Sequence, residues 1–113
     1  MDILYRHIYL VNFDPSIGRE YKKVRPALVI QANEVTTQSP LVTIMPISSR
    51  LEKQDVDDIT ITRDEKNRLL HTSILKVRQI SSFDTRRFIH RIGEANDDVM
   101  NRVAAYLRKH FGL

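Results

Sequence analysis

Apolar positions in this chain fall in short clusters with a two-residue period, and only near the C-terminus in a longer stretch with a helical one. Ile8-Tyr9-Leu10-Val11-Asn12-Phe13 is β-branched, aromatic or aliphatic on both alternating faces, which predicts a strand between His7 and Asp14 covered on both sides. Asp14-Pro15-Ser16-Ile17-Gly18 is turn chemistry, because Pro15 lacks a ladder donor and Gly18 is free to take positive φ. A second strand is expected from Val24 to about Ala32, with Pro26 near its start, where a missing N–H is tolerated. Asn33-Glu34 and the run from Thr36 to Pro40 read as loop. Leu41 to Ile47 reads as a third strand whose late Pro46 marks an end or a bulge.

The polar stretch between Leu51 and Asp58 has no usable period and is expected to be exposed loop. Ile59-Thr60-Ile61-Thr62 alternates as a short half-buried strand before the turn-prone Arg63 to Asn67, and Ser73 to Ile80 predicts a further strand. Asp84 is placed to cap a helical turn ahead of strand-like Ile89 to Gly93. The final segment is the one helix: Asn96 caps it, Asp97 and Asp98 suit its positive end, Arg108 and Lys109 its negative end, and Gly112 ends it. Val99, Val103 and Leu107 form a stripe, flanked by Met100, Ala104 and Phe111, that should pack on the sheet. Many short strands and one terminal helix, without βαβ alternation, predict a mainly β, α+β fold: a small, strongly curved antiparallel sheet or partly open barrel.

Composition narrows this picture. A chain of 113 residues is the size of one domain with one core, so residues 1–113 are expected to form a single unit. Cysteine is absent and no long apolar segment follows the charged start Met1 to Arg6, so a cytoplasmic protein without disulfides is expected. The apolar runs fall well short of the ~20 residues of a spanning helix, and no membrane association is expected. The net charge of +4 and isoelectric point of about 9.6 are compatible with a nucleic-acid partner, although solubility alone is the simpler account of net charge.

Chemistry is concentrated in two places. Arg19, Glu20, Lys22, Lys23 and Arg25 lie between Gly18 and Pro26, with Arg25 where a strand begins and Tyr21 offering a face for an unpaired base. A solvated loop would carry the same charges. Ser48, Ser49 and Arg50 leave the end of the third strand, where a serine bonding its own backbone is the competing account. Lys76 and Arg78, followed by Arg86 and Arg87, extend a positive track or protect a strand edge. His7, His71, His90 and His110 are scattered, and Asp55, Asp57 and Asp58 sit in expected loop, so no metal site is expected. No Gly-x-Ser-x-Gly elbow, phosphate-cradling Gly-x-x-x-x-Gly-Lys or dinucleotide fingerprint occurs, and no cofactor is expected.

The order Phe13-Asp14-Pro15, Gly18-Arg19-Glu20, Arg25-Pro26-Ala27-Leu28-Val29-Ile30 and Pro46-Ile47-Ser48-Ser49 resembles the MazF/PemK (Kid) family of toxin endoribonucleases. The similarity continues through Leu70 to Ser73, Gln79 and Asp84 to the terminal helix. It implies a homodimer built on an SH3-like barrel that cuts single-stranded RNA without metal, leaves a 2′,3′-cyclic phosphate and a 5′-hydroxyl, inhibits translation, and is neutralised by a cognate antitoxin. By position, Arg25 matches the family's essential arginine, Glu20 its loop glutamate and Ser48 its hydroxyl residue, usually threonine. Arg19, Lys22, Lys23, Ser49, Arg50, Lys76, Arg78 and Gln79 are the residues expected to contact RNA. Two positions depart from the pattern: Arg78 stands where many relatives carry an acid, and Arg68 replaces a glycine before Leu69, which leads one to expect a different turn there. A non-catalytic toxin resembling CcdB, which binds DNA gyrase, is the alternative, supported by Phe111-Gly112-Leu113 and the Pro46 to Leu51 segment and opposed by Arg25-Pro26. A scaffold of the same fold that only binds nucleic acid is a third.

Overall fold

The computed structural model describes residues 1–14 and 23–113. Seven strands, β1 (His7–Asn12), β2 (Val24–Val29), β3 (Leu41–Ser48), β4 (Ile59–Ile61), β5 (Ser73–Leu75), β6 (Ser81–Asp84) and β7 (Phe88–Glu94), form one antiparallel sheet. Its path runs β4-β5-β3-β2-β1-β7, and β6 pairs with β3 off that path. No ladder joins β4 to β7 among the described residues, so the sheet curls without closing. A helical turn, α1 (Asn33–Thr36), stands where the sequence reads as loop, and α2 (Asp97–Phe111) follows the last strand.

Both faces of the central strands are buried, as the doubly apolar pattern of β1 requires. One face gathers Tyr9, Val11, Phe13, Ala27, Val29, Val42, Ile44 and Phe88. The other carries Ile8, Leu28, Met45 and Ile47 against β4, β5 and the α2 residues Val99, Met100, Val103 and Tyr106. The α2 stripe therefore differs from expectation at its end: Tyr106 is buried and Phe111 exposed. Tyr106 follows Val99 by seven residues and Val103 by three, so it shares their face, and its hydroxyl reaches His110 Nδ1 at 2.7 Å. The caps are as expected, with Asn96 Oδ1 accepting the Val99 N–H and Gly112 left-handed at φ 66.

The strand expected over Ser73 to Ile80 stops at Leu75 for a reason that lies in β3. β5 occupies the β3 edge at Ile47 and Ser48, and β6 occupies the same edge at Leu41 to Ile44. Between them the Pro46 carbonyl accepts the Lys76 N–H at 2.9 Å, but its ring nitrogen has no hydrogen to return. The chain leaves the ladder there in a 3₁₀ turn, Val77–Gln79.

The turn before Leu69 keeps a glycine-like shape without a glycine: Arg68 sits at φ 56. Its neighbour Asn67 is buried, donates from Nδ2 to the Thr62 carbonyl, and accepts the N–H groups of Asp64 and Leu69 at Oδ1. β7 passes so close that a Cβ at Gly93 would lie 2.3 Å from the Asn67 carbonyl oxygen. The tight passage, rather than φ, is what requires glycine at that position.

Candidate functional site

The site is built where β2 begins and β3 ends. Ala27↔Pro46, Leu28↔Met45 and Val29↔Ile44 set the register of these neighbours. Carried two residues further, that register puts Arg25 level with Ser48, and both have the parity of the face lined by Ala27, Val29 and Ile44. Arg25 also pairs with Val11 of β1, so a strand on a rigid frame carries it. It is exposed, and among the described residues no carboxylate or carbonyl engages its guanidinium.

Ser48 is 7 % exposed and its Oγ accepts the Arg50 N–H at 3.1 Å. This is the serine turn that the sequence leaves open as a competing account. It does not remove the hydroxyl from chemistry, because that bond uses a lone pair and leaves the hydroxyl hydrogen free to be donated. Ser49 and Arg50 are exposed just beyond the strand.

The expected residues Arg19, Glu20 and Lys22, with Tyr21, lie outside the described residues. The base of their loop is defined. The Lys23 N–H donates to Asp14 Oδ1 at 2.7 Å, the Phe13 N–H donates to the Lys23 carbonyl at 2.7 Å, and Lys23 is held at φ 65. Arg87 adds a clamp that sequence reading missed by taking it as one more cation of a track: its Nη1 donates to the Asn12 and Asp14 carbonyls and its guanidinium lies 5.4 Å from the centroid of Phe83. Arg86 is likewise committed, to Asp84, which caps the turn at Thr85–Arg87 as expected. The Arg86 side chain, then its backbone N–H, holds the Asp84 carboxyl below its ordinary range.

Lys76 is placed differently from a residue that meets RNA. Its side chain is 6 % exposed, and Nζ lies 2.6 Å from Asp58 Oδ2 and 3.0 Å from Asp55 Oδ2 while donating to the Lys53 carbonyl. Burial disfavours the ammonium, but the hydrogen bonds to Asp58 and Asp55 outweigh it and raise the Lys76 pKa above its ordinary value. The reason is topological: Lys76 follows β5 into the space beneath the 54–58 loop, so its charge is spent inside the molecule. Arg78 is exposed on the following turn but is bonded to Asp57 Oδ2 at 3.1 Å, and Lys109 of α2 reaches the other oxygen, Oδ1, at 2.8 Å. Lys109 and then Arg78 hold the Asp57 carboxyl below its ordinary range. The pairing of Asp57 with Arg78 and Lys109 had no signal in sequence, because it depends on where a periodless loop lands. Gln79 is half-buried on the same turn, its N–H on the Lys76 carbonyl.

Among the described residues the arrangement thus sets an unengaged guanidinium and a hydroxyl on adjacent strands, which stand about 5 Å apart. That spacing suits two donors aimed at the oxygens of a single phosphoryl group. Among the described residues no group of three His, Cys, Asp or Glu converges as a metal site. None of their helices is long and apolar enough to cross a membrane.

Comparison with known proteins bears on this geometry. Residues 5–111 match the family model described as PemK-like, MazF-like toxin of type II toxin–antitoxin system. Endoribonuclease EndoA of Bacillus subtilis (strain 168) is 25 % identical over 106 residues, which cover 94 % of this chain and 91 % of that protein. The crystal structure of MazF (Form-I) from Deinococcus radiodurans superposes with a TM-score of 0.83 at 26 % identity, covering 98 % of this chain and 97 % of that one. The structure of MazE–MazF (Form-III) from the same organism superposes with a TM-score of 0.77 at 25 % identity, with the same coverage.

Proposed function

Because the chain belongs to the PemK-like, MazF-like toxin family of type II toxin–antitoxin systems, we propose that it is an endoribonuclease that cuts single-stranded RNA at a short sequence without a metal ion. The observation that carries this reading is the Arg25 guanidinium, unengaged among the described residues, in register with Ser48. In the proposed reaction the ribose 2′-oxygen attacks phosphorus and the bond to the 5′-oxygen breaks. The 2′-hydroxyl gives up its proton and the leaving 5′-oxygen receives one, so the products are a 2′,3′-cyclic phosphate and a 5′-hydroxyl. Negative charge grows on the phosphoryl oxygens in the transition state, where Arg25 and the Ser48 hydroxyl donate to it. Arg25 serves as a donor and a fixed positive charge, since a guanidinium is a poor base at neutral pH.

Glu20 has two proposed roles, acceptor of the 2′-hydroxyl proton or support for Arg25. A Glu20→Gln enzyme whose pH–rate profile loses its acidic limb identifies the base; an unchanged profile at lowered rate identifies the support. Ser49, Arg50, Lys23 and Gln79 are the proposed RNA contacts, together with Arg19 and Lys22 of the loop. The MazE–MazF complex of the Deinococcus relative supports a cognate antitoxin as partner. Homodimerisation, a cytoplasmic location and inhibition of translation complete the reading.

DNA lacks the attacking hydroxyl, so the test is to offer matched single-stranded RNA and DNA to the purified protein and map the ends. RNA cut to the stated ends, with DNA intact, supports the reading. Gyrase-dependent DNA breaks without RNA cleavage would decide for the CcdB-like alternative.

A further inference from the structure

Asp57 is an outlier in three respects. Its two oxygens face two cations from different elements, Arg78 after β5 and Lys109 at the end of α2. The carboxylate side chain is only 17 % exposed, whereas the Arg78 and Lys109 side chains are 57 % and 66 % exposed, so the cations reach solvent past the anion they share. Its backbone is held at φ 77, a left-handed conformation that a non-glycine residue adopts at a cost.

Two cations converging on the two oxygens of one anion also make the arrangement that grips two oxygens of a phosphate, a guanidinium supplying direction and an ammonium supplying charge. Swinging the Asp57 carboxylate out gives up two ion pairs whose cationic ends are already largely hydrated. One of the two cations is tied to the strand that ends in Ser48. Arg78 lies on the turn that starts from Lys76, whose N–H is bonded to Pro46 two residues before Ser48, and the loop bearing Asp57 follows that strand end after the 3₁₀ turn Leu51–Lys53.

We propose that Arg78 and Lys109 form a second phosphate site, for a non-scissile phosphate of the RNA strand, and that Asp57 is its built-in occupant, displaced when the strand binds. This inference rests on the ribonuclease reading above. Asp57 then acts on specificity. A tethered carboxylate competes at high effective concentration, so a single free anion fails to displace it, and a strand already held at Arg25 succeeds because its next phosphates are tethered too.

The test is binding of a 2′-O-methyl RNA oligonucleotide pool, which lacks the attacking hydroxyl, measured by anisotropy over a series of salt concentrations. Asp57→Asn keeps the size of the side chain and tolerates the left-handed backbone. It should bind about tenfold more tightly at low salt, because no carboxylate has to be displaced, with a log–log salt slope close to that of wild type, since the strand neutralises the same phosphates in both. Adding Arg78→Gln and Lys109→Gln to that variant should remove the gain. Arg78→Gln alone, with Asp57 in place, should weaken binding about threefold and covers the case in which Asp57→Asn fails to fold; unchanged binding there overturns the proposal. RNA binding equal in wild type and Asp57→Asn also overturns it and leaves the ribonuclease reading standing. No RNA binding by either protein overturns both. A gain seen for polyglutamate and not for RNA overturns the proposal by assigning the two cations to an acidic protein.

Discussion

Lys76 Nζ lies 2.6 Å from Asp58 Oδ2, and the two side chains are 6 % and 1 % exposed. A lysine that sequence offers as an RNA contact is thereby a buried strut between β5 and the loop that follows β3. Asp58 Oδ1 is buried without a hydrogen-bond partner, so the pair is not fully satisfied.

Breaking that pair should be costly and replacing it cheap. Asp58→Asn is expected to lower stability by about 3 kcal/mol, because an ammonium is left in a site withdrawn from water, while Asp58→Leu combined with Lys76→Met should recover most of the loss. Urea unfolding of the three proteins checks this. The pH dependence has a definite sign. The folded-state pKa of Lys76 is raised, so its contribution is complete below the unfolded value near 10.5 and is lost as pH rises through the higher folded value. The gap between wild type and Lys76→Met should therefore narrow only in strong alkali.

At the other end of the pH scale, His7 is the group to follow. Its Nδ1 accepts from Arg91 Nε at 2.9 Å, which requires a lone pair there, and Nε2 lies 3.8 Å from Glu94 Oε1. Burial, then the Arg91 charge, lowers its pKa against the opposing pull of Glu94. A depressed folded-state pKa contributes stability above the unfolded value of 6.5, lost as pH falls through the folded one. The melting temperature of wild type should drop on acidification below pH ~6.5 more steeply than that of His7→Gln. An NMR titration that placed His7 above 6.5 would contradict the assignment.

Gly93→Ala probes packing. An added methyl would meet backbone atoms of Lys66 and Asn67 at 2.3 to 2.6 Å, and neither is the end of a flexible side chain. The expected loss is about 3 kcal/mol by chemical denaturation, the upper range for overpacking. A loss under ~1 kcal/mol would mean that the turn moves aside freely.

Much of this architecture is legible in the chain because one-dimensional signals act locally. The doubly apolar run of β1, the caps Asn96 and Gly112 and the Asp84 cap each depend on residues close in sequence. The miss at Ser73 to Ile80 has the opposite character: two segments share one edge of β3, and Pro46, about thirty residues earlier, decides where the ladder breaks. Arg68 shows the same limit, since the turn it occupies is imposed by the Asn67 and Asp64 hydrogen bonds and keeps its left-handed shape with an unfavourable residue. In the site, residue type and strand-end position offer Arg25 and Ser48 only as candidates beside a solvated loop and a serine turn, and the resemblance to the family is what selects them. The fates of Lys76, Arg78 and Arg87 cannot be read in this way, because a charge in sequence carries no information about which carboxylate or carbonyl will face it.

The central claim is that Arg25 is the cation at the reacting phosphate. Its most direct test is to incubate wild type and Arg25→Ala with single-stranded RNA in EDTA, after verifying equal melting temperatures, and to sequence and characterise the ends produced. The account predicts cutting by wild type to 2′,3′-cyclic phosphate and 5′-hydroxyl ends, and none by the variant. Cutting that requires a metal ion, or full activity in Arg25→Ala, would contradict it.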